Sequence, residues 1–278
     1  MKNMSQKIFI TGGASGLGRE IALRWAREGA HVCIGDLNVE RGNAVAAEIA
    51  KAGGIALFIP CDVTKTEDLQ NVADRLLREW GGVDIVVNNA GVATSGTLES
   101  ESLEQWQWIL NINLLGVVRG CQVFAPLFRA QKSGHFINIA SMAGLLHPPG
   151  MGSYNASKAA VVALSETLRL ELAPDNIGVS VVCPSFFQTN LIESLRSADP
   201  NAALVIQKLF RKARITAAEI ADKIFFAVPA GRFLVLPHAD DRKAHLIKRL
   251  MPTSMYLNWM MKITRKSFRR PAMKTKGS

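Results

Sequence analysis

Residues 7–18, KIFITGGASGLG, run from a short apolar segment into four glycines, Gly12, Gly13, Gly16 and Gly18. Glycine weakens helices and strands through its backbone freedom, so a cluster this dense serves a local geometry. KIFIT (7–11) reads as a strand. After the glycines, apolar residues at positions 17, 21, 22, 25 and 26 keep the spacing of one helix face up to Gly29. A strand, a glycine loop and a helix in that order let the backbone approach a pyrophosphate. The helix N-terminus then offers unpaired N–H groups and the positive end of its dipole.

The same alternation continues outward. HVCIG (31–35), IALFI (55–59), VDIVVNNAG (83–91), HFINIAS (135–141), GVSVVCP (178–184) and FLVL (233–236) read as strands. Helix-period segments separate them over 39–51, 66–80 (with Thr64 or Thr66 as N-cap), 102–131 as one long stretch, 154–172, and 216–228. The last begins with a capping box, Thr216 with Glu219. Between Ser185 and Thr216 the pattern loosens into helix-like stretches broken at Asp199-Pro200. The early strands are short, continuously apolar and rich in Val and Ile, as parallel strands buried on both faces are. The expected fold class is α/β, a doubly wound parallel sheet with helices on both faces, forming a single domain over residues 1–240.

The 278 residues carry a net charge of +10. From Arg242 to Ser278 there are eleven Lys and Arg and no Asp or Glu, which leaves 22 basic against 23 acidic groups in residues 1–241. The body is therefore near neutral, and with no recognition motif present nucleic acid is not an expected partner. The basic excess sits in an extension, 241–278, that interleaves Met, Leu and Trp with Lys and Arg. Such a segment can lie on an anionic membrane surface, cover the substrate cleft or meet a neighbouring subunit. Its last dozen residues are expected to be disordered. The N-terminus shows no apolar leader, and no segment approaches the roughly 20 apolar residues of a membrane span. A cytoplasmic protein is expected, with peripheral membrane contact through the tail as its variant. Cys33, Cys61, Cys121 and Cys183 are widely spaced with no Cys/His cluster, so buried thiols are expected and no metal site.

YNASK puts Tyr154 and Lys158 four residues apart, on one face of a helix. A phenol at its ordinary pKa of ~10 is a poor base at neutral pH, and a neighbouring ammonium is expected to lower it. Ser141 ends the strand HFINIAS 13 residues earlier, at the strand end where such sheets bind ligands. Asp36 closes the second strand 18 residues after Gly18. A carboxylate there can hold both ribose hydroxyls of NAD and repels the 2′-phosphate of NADP, so NAD is favoured, with NADP as the alternative.

TGGASGLG (11–18), NNAG (88–91), Ser141 and YNASK (154–158), in this order over residues 7 to about 190, resemble the short-chain dehydrogenase/reductase family. The resemblance implies a Rossmann-like oxidoreductase that transfers a hydride between NAD(H) and an alcohol or ketone. It implies a tetrad of Asn113, Ser141, Tyr154 and Lys158, with Asn113 preferred to Asn111 because it begins NLLG. Tyr154 would be the general acid/base, Lys158 would bind the nicotinamide ribose, and Ser141 would orient the substrate. The cofactor would meet Gly12, Ser15, Gly16, Leu17, Gly18, Asp36, Asp62, Val63, Asn89, Ala90, Gly91, Pro184 and Thr189. Relatives usually have Pro-Gly where this chain has Pro184-Ser185. Homodimers or homotetramers are common in the family. The loops after Ser141 and Pro184 supply Leu145, Met151, Phe186 and Phe187 as an apolar lining for a hydrophobic secondary alcohol or ketone, alongside Ser141 and Tyr154. His147 is read as an ordinary loop histidine. A non-catalytic nucleotide-binding regulator is the alternative of a different class.

Overall fold

The computed structural model describes residues 5–197, Leu204 and residues 213–264. The stretches expected around Asp199-Pro200 and the tail beyond Thr264 lie outside the described residues.

Strands β1 (Lys7–Thr11), β2 (His31–Asp36), β3 (Ile55–Pro60), β4 (Ile85–Asn88), β6 (Gly134–Ile139), β7 (Ile177–Val182) and β9 (Leu234–Val235) form one sheet in the order 3-2-1-4-6-7-9. Every pairing in it is parallel. A second, two-stranded sheet joins β5 (Thr94–Ser95) to β8 (Arg196–Ser197). Successive side chains of a strand point to opposite faces, and both faces here are apolar. Phe9 enters one core with Val86, Phe136, Val179 and Val181, while Ile8 and Ile10 enter the other with Ile85, Val87 and Ile137.

Helices close both faces. α1 (Gly16–Arg27) and α2 (Val39–Lys51) cover one face through Ile21, Trp25, Val45 and Ile49. α8 (Ala217–Ala227) joins them through Ile220 and Ile224, and its Thr216–Glu219 capping box is formed as the sequence indicates. The other face takes α3 (Thr66–Trp80), α5 (Leu115–Gln131) and α7 (Gly152–Glu171), through Leu69, Leu76, Phe124, Phe128 and Val161.

Two expectations need correcting here. The cap of α3 is the backbone of Lys65, with no side-chain bond, because Thr64 is drawn to Asp62 Oδ1 instead. The long stretch 102–131 is two helices, α4 (Leu103–Asn113) and α5, parted at Leu114. Asn113 is fully buried at this junction, where its amide bonds both backbone groups of Val92. By length and composition Leu103–Gln131 does reach what a membrane crossing needs, contrary to the sequence reading. Its apolar residues pack on the sheet instead, with Val117, Cys121, Phe124 and Phe128 buried in the core.

After β9 the chain continues into α9 (Ala239–Leu250) and α10 (Thr253–Thr264). These pack back over the short helix α6 (Ala143–Leu146) that follows Ser141. Lys248 Nζ donates to the Leu145 carbonyl and contacts His147 Nδ1 at 3.0 Å. Tyr256 OH donates to the Leu146 carbonyl at 2.8 Å. The four cysteines are free and buried, as expected. No cluster of potential metal ligands occurs among the described residues.

Candidate active site

The sheet order reverses between β1 and β4, and a cleft of about 1040 Å³ opens there along the carboxyl ends of the strands. This is where doubly wound sheets bind ligands. Gly12 and Gly16 have φ of +64° and +52°, the left-handed region in which a side chain is strained. A Cβ on Gly12 would also come within 2.9 Å of Ala90 Cα. The loop is clamped from β4: Asn89 Nδ2 donates to the carbonyls of Thr11 (2.9 Å) and Gly12 (3.1 Å). Thr11 Oγ1 receives the N–H groups of Asn89 and Ala90. Thr11 is a loop-positioning residue that spacing alone did not single out.

Ser15 stands at the N-cap of α1 without bonding the helix through its side chain, and no acidic residue occupies the first turn. Gly12, Ser15, Gly16 and Leu17 line the cleft, whereas Gly18 does not. Gly18 serves packing: a Cβ there would lie 2.2 Å from the Gly12 carbonyl oxygen, so its absence lets α1 sit against the loop. Asp36 lines the cleft at the end of β2, with Oδ2 accepting Ala14 N–H (3.0 Å) and Oδ1 accepting Asn38 N–H (2.9 Å). The cap of α2 is Asn38, so Asp36 is free of that duty. Asp62, Val63, Asn89, Ala90, Gly91, Pro184 and Thr189 complete this wall.

Further along, Ser141, Tyr154 and Lys158 meet over β6 and β7. Lys158 is buried, with Nζ donating to the Ile139 carbonyl (2.9 Å) and lying 5.9 Å from the Tyr154 ring centroid. The Ser141 side chain draws the Tyr154 phenol pKa down. Ser141 Oγ also accepts Ala143 N–H and donates to the Pro184 carbonyl. Asn113, at the end of α4, donates to Ser157 Oγ of α7 at 3.3 Å. A Cβ on Gly91 would fall 3.2 Å from Asn113 Oδ1 and 3.5 Å from Lys158 Nζ, so Gly91 leaves room between them. Asn111 lines the cleft, but its side-chain oxygen is taken by Arg119.

The electrostatics differ from the sequence expectation. Burial pushes Tyr154 above the usual phenol value, against the opposing pull of the Ser141 side chain. Burial likewise depresses Lys158 to about 8. The Lys158 ammonium therefore does not by itself lower Tyr154. Both groups are desolvated, and desolvation favours the neutral form of each.

Met151, Phe186 and Phe187 line the far end of the cleft as expected. Leu145 does not: it packs against the core, and the neighbouring Leu146 takes its place in the lining. The C-terminal helix covers the cleft, one of the three placements the sequence left open, and Tyr256, Trp259, Met260 and Ile263, which the sequence reading did not name as lining residues, face it. Their i, i+3, i+4, i+7 spacing was the available signal. His147 stays outside the lining. Its Nε2 bonds the Gly144 carbonyl, and the ring anchors Lys248. The unusual Ser185 also acquires a reason. Its N–H donates to His238 Nδ1 (3.3 Å), and its side chain draws down the pKa of Asp241, which burial raises to about 6. The serine thus ties the turn after β7 to the start of α9.

Comparison with known proteins agrees with this geometry. The family model described as short chain dehydrogenase matches residues 6–200. The chain is 34% identical over 258 residues to a probable oxidoreductase EphD of Mycobacterium tuberculosis, covering 89% of this chain and 43% of that protein. It thus spans less than half the length of that relative. It is 34% identical over 259 residues to a CLA biosynthesis dehydrogenase/reductase of Lactiplantibacillus plantarum, covering 86% of this chain and 91% of the other. Among solved structures, a short chain dehydrogenase/reductase from Burkholderia phymatum in complex with NAD superposes with a TM-score of 0.85. That pair is 31% identical and covers 93% of this chain and 96% of the other. The chain belongs to the short-chain dehydrogenase/reductase family.

Proposed function

We propose that this chain is an NAD(H)-dependent oxidoreductase that interconverts a hydrophobic secondary alcohol and its ketone. The observation that carries the reading is the single cleft that joins the glycine loop and Asp36 at one end to Ser141, Tyr154 and Lys158 at the other. Its residues fit a nicotinamide dinucleotide. A cradle that a Cβ would fill at Gly12, the uncapped N-terminus of α1 and the Asp36 carboxylate suit a pyrophosphate and a 2′-hydroxyl ribose. When bound, the cofactor accepts or donates the hydride. Tyr154 takes the hydroxyl proton of the alcohol during oxidation and returns it to the carbonyl oxygen during reduction. Ser141 holds that oxygen beside the phenol. Lys158 would hold the nicotinamide ribose. Burial holds Tyr154 protonated, and a positively charged nicotinamide beside it would oppose that shift.

The substrate end supports an apolar substrate, since Leu146, Met151, Phe187, Trp259, Met260 and Ile263 surround it. A series of straight-chain 2-alkanols tests this by coenzyme absorbance. Each added methylene that becomes buried contributes ~0.8 kcal/mol, about fourfold in kcat/KM, until the cleft is filled. A series flat from its first member would overturn the apolar assignment. The same reading takes the chain to assemble as a homodimer or homotetramer through α4, α5 and α7, where Leu103, Leu115 and Leu170 are exposed. Sedimentation as a monomer at micromolar concentration would contradict that.

A further inference from the structure

α10 shows two distinct apolar surfaces. Tyr256 and Met260 turn into the cleft, and Trp259 and Ile263 sit at its rim, lining it while remaining half exposed. Met255, Trp259 and Ile263 recur at i, i+4 and i+8, so they form one stripe along the helix, 57, 45 and 53% exposed, whereas Leu257 and Met261 lie on the opposite flank. This patch lies in the segment from Arg242 onward that holds eleven basic residues and no acidic one. Arg242, Lys243 and Arg249 on α9 and Lys262 on α10 are exposed. Two such tails packed face to face would repel each other, and the rest of the chain is near neutral overall, with 22 basic and 23 acidic groups. The charge is complementary to an anionic lipid surface. Basic helices carrying Trp and Leu bury their apolar side chains at the headgroup–acyl boundary while their cations meet the headgroups.

We propose that α9 and α10 dock on an anionic bilayer, with Met255, Trp259 and Ile263 inserted, so that the rim formed by Trp259 and Ile263 opens toward the lipid. The substrate then enters from the membrane rather than from water. This second step rests on the apolar-substrate reading above, whereas the docking itself does not.

The test uses the full chain, sedimented with vesicles of phosphatidylcholine alone or with about 30 mol% phosphatidylglycerol, a fraction chosen to reproduce an anionic leaflet. The chain is expected to pellet with the anionic vesicles only. Pelleting is expected to fall as salt rises from about 0.15 to 1 M, which shortens the Debye length from about 8 to 3 Å. A K243E/R249E/K262E variant is expected to bind at least tenfold more weakly. A Met255→Ser variant is expected to bind the anionic vesicles several-fold more weakly while retaining coenzyme binding as a check of folding. Absence of pelleting by the intact chain, or equal pelleting with neutral vesicles, overturns the proposal. So does a serine variant that binds vesicles normally but sediments as a smaller oligomer, which would make the patch an interface between copies. Vesicle binding needs no turnover, and Tyr154→Phe is expected to pellet like the parent. A failure of the enzymatic reading is therefore distinguishable from a failure of docking.

Discussion

Removal of one oxygen atom, in Tyr256→Phe, should loosen the C-terminal lid without unfolding the body. Tyr256 is 5% exposed, and its hydroxyl donates to the Leu146 carbonyl at 2.8 Å. The other tether at α6 runs from Lys248 to the Leu145 carbonyl, with the Lys248 ammonium 5.3 Å from the Tyr256 ring centroid. Phenylalanine keeps the ring, and so keeps the packing against the cleft and the contact with Lys248. It loses one hydrogen bond of net worth ~1 kcal/mol, and the Leu146 carbonyl is left without this donor. One kcal/mol is about a fivefold change in an equilibrium constant, so the undocked fraction of 239–264 should rise about fivefold. Amide hydrogen exchange reads this directly. Protection in α10 should fall by that factor, while protection in β1, β4 and β6, set by global unfolding, stays unchanged. The KM for an apolar substrate should rise with kcat little altered, since the lid forms a wall of the site and touches no reacting atom. Unchanged α10 protection would refute the role of this tether. A uniform loss across the sheet would show that the lid is part of the global folding unit and not a separately docked layer.

Three further outcomes follow from the same geometry. Gly18→Ala drives a Cβ to 2.2 Å from the Gly12 oxygen and 2.6 Å from Asn89 Nδ2, so overpacking should cost ~1–3 kcal/mol, seen as a thermal midpoint several degrees lower together with weaker coenzyme binding. Asp36→Ala removes the carboxylate that would face a 2′-phosphate, and should cut the preference for NAD over NADP by at least about tenfold in paired titrations, since like charges a few ångströms apart cost ~1–4 kcal/mol; unchanged preference would place discrimination elsewhere. The lid should also respond to pH. Burial and the adjacent Lys248 ammonium lower the pKa of His147, and its neutral ring accepts from Lys248. A depressed histidine adds stability that is present above its ordinary value of ~6.5 and is lost as pH falls through the lowered value. Exchange protection of 239–264 should therefore drop on acidification below about pH 6.5, and His147→Gln should flatten that response.

Much of the sheet was legible because each strand is short, apolar and closed by a turn, so position along the chain translated directly into position in the fold. The glycine loop was legible for the same reason, since strand, loop and helix are contiguous. Contacts made across long sequence separations were not. The break at Leu114 arises because Asn113 is pulled onto Val92, 21 residues away, which no local propensity announces. The sign of the Tyr154 shift depends on burial on all sides, and an i, i+4 neighbour says nothing of that. Leu145 and Leu146 differ only in which way a four-residue helix turns. The tail helix had the right spacing for one buried face, yet spacing does not say which surface it covers. Ser185 reads as a departure from the family pattern until His238, more than 50 residues on, is seen to accept its N–H.

The central claim is that Tyr154 moves the proton in a hydride transfer carried out in this cleft. The most direct test measures NAD(H)-linked turnover and coenzyme affinity together, in the intact chain and in Tyr154→Phe, against apolar secondary alcohols and their ketones. The account predicts turnover by the intact chain, a loss of at least about 10²-fold in kcat for the variant, and coenzyme affinity kept within a few-fold. Turnover that survives the loss of the hydroxyl would contradict it. Tight coenzyme binding without turnover on any member of the panel would contradict it equally, and would turn the reading toward a nucleotide-binding regulator.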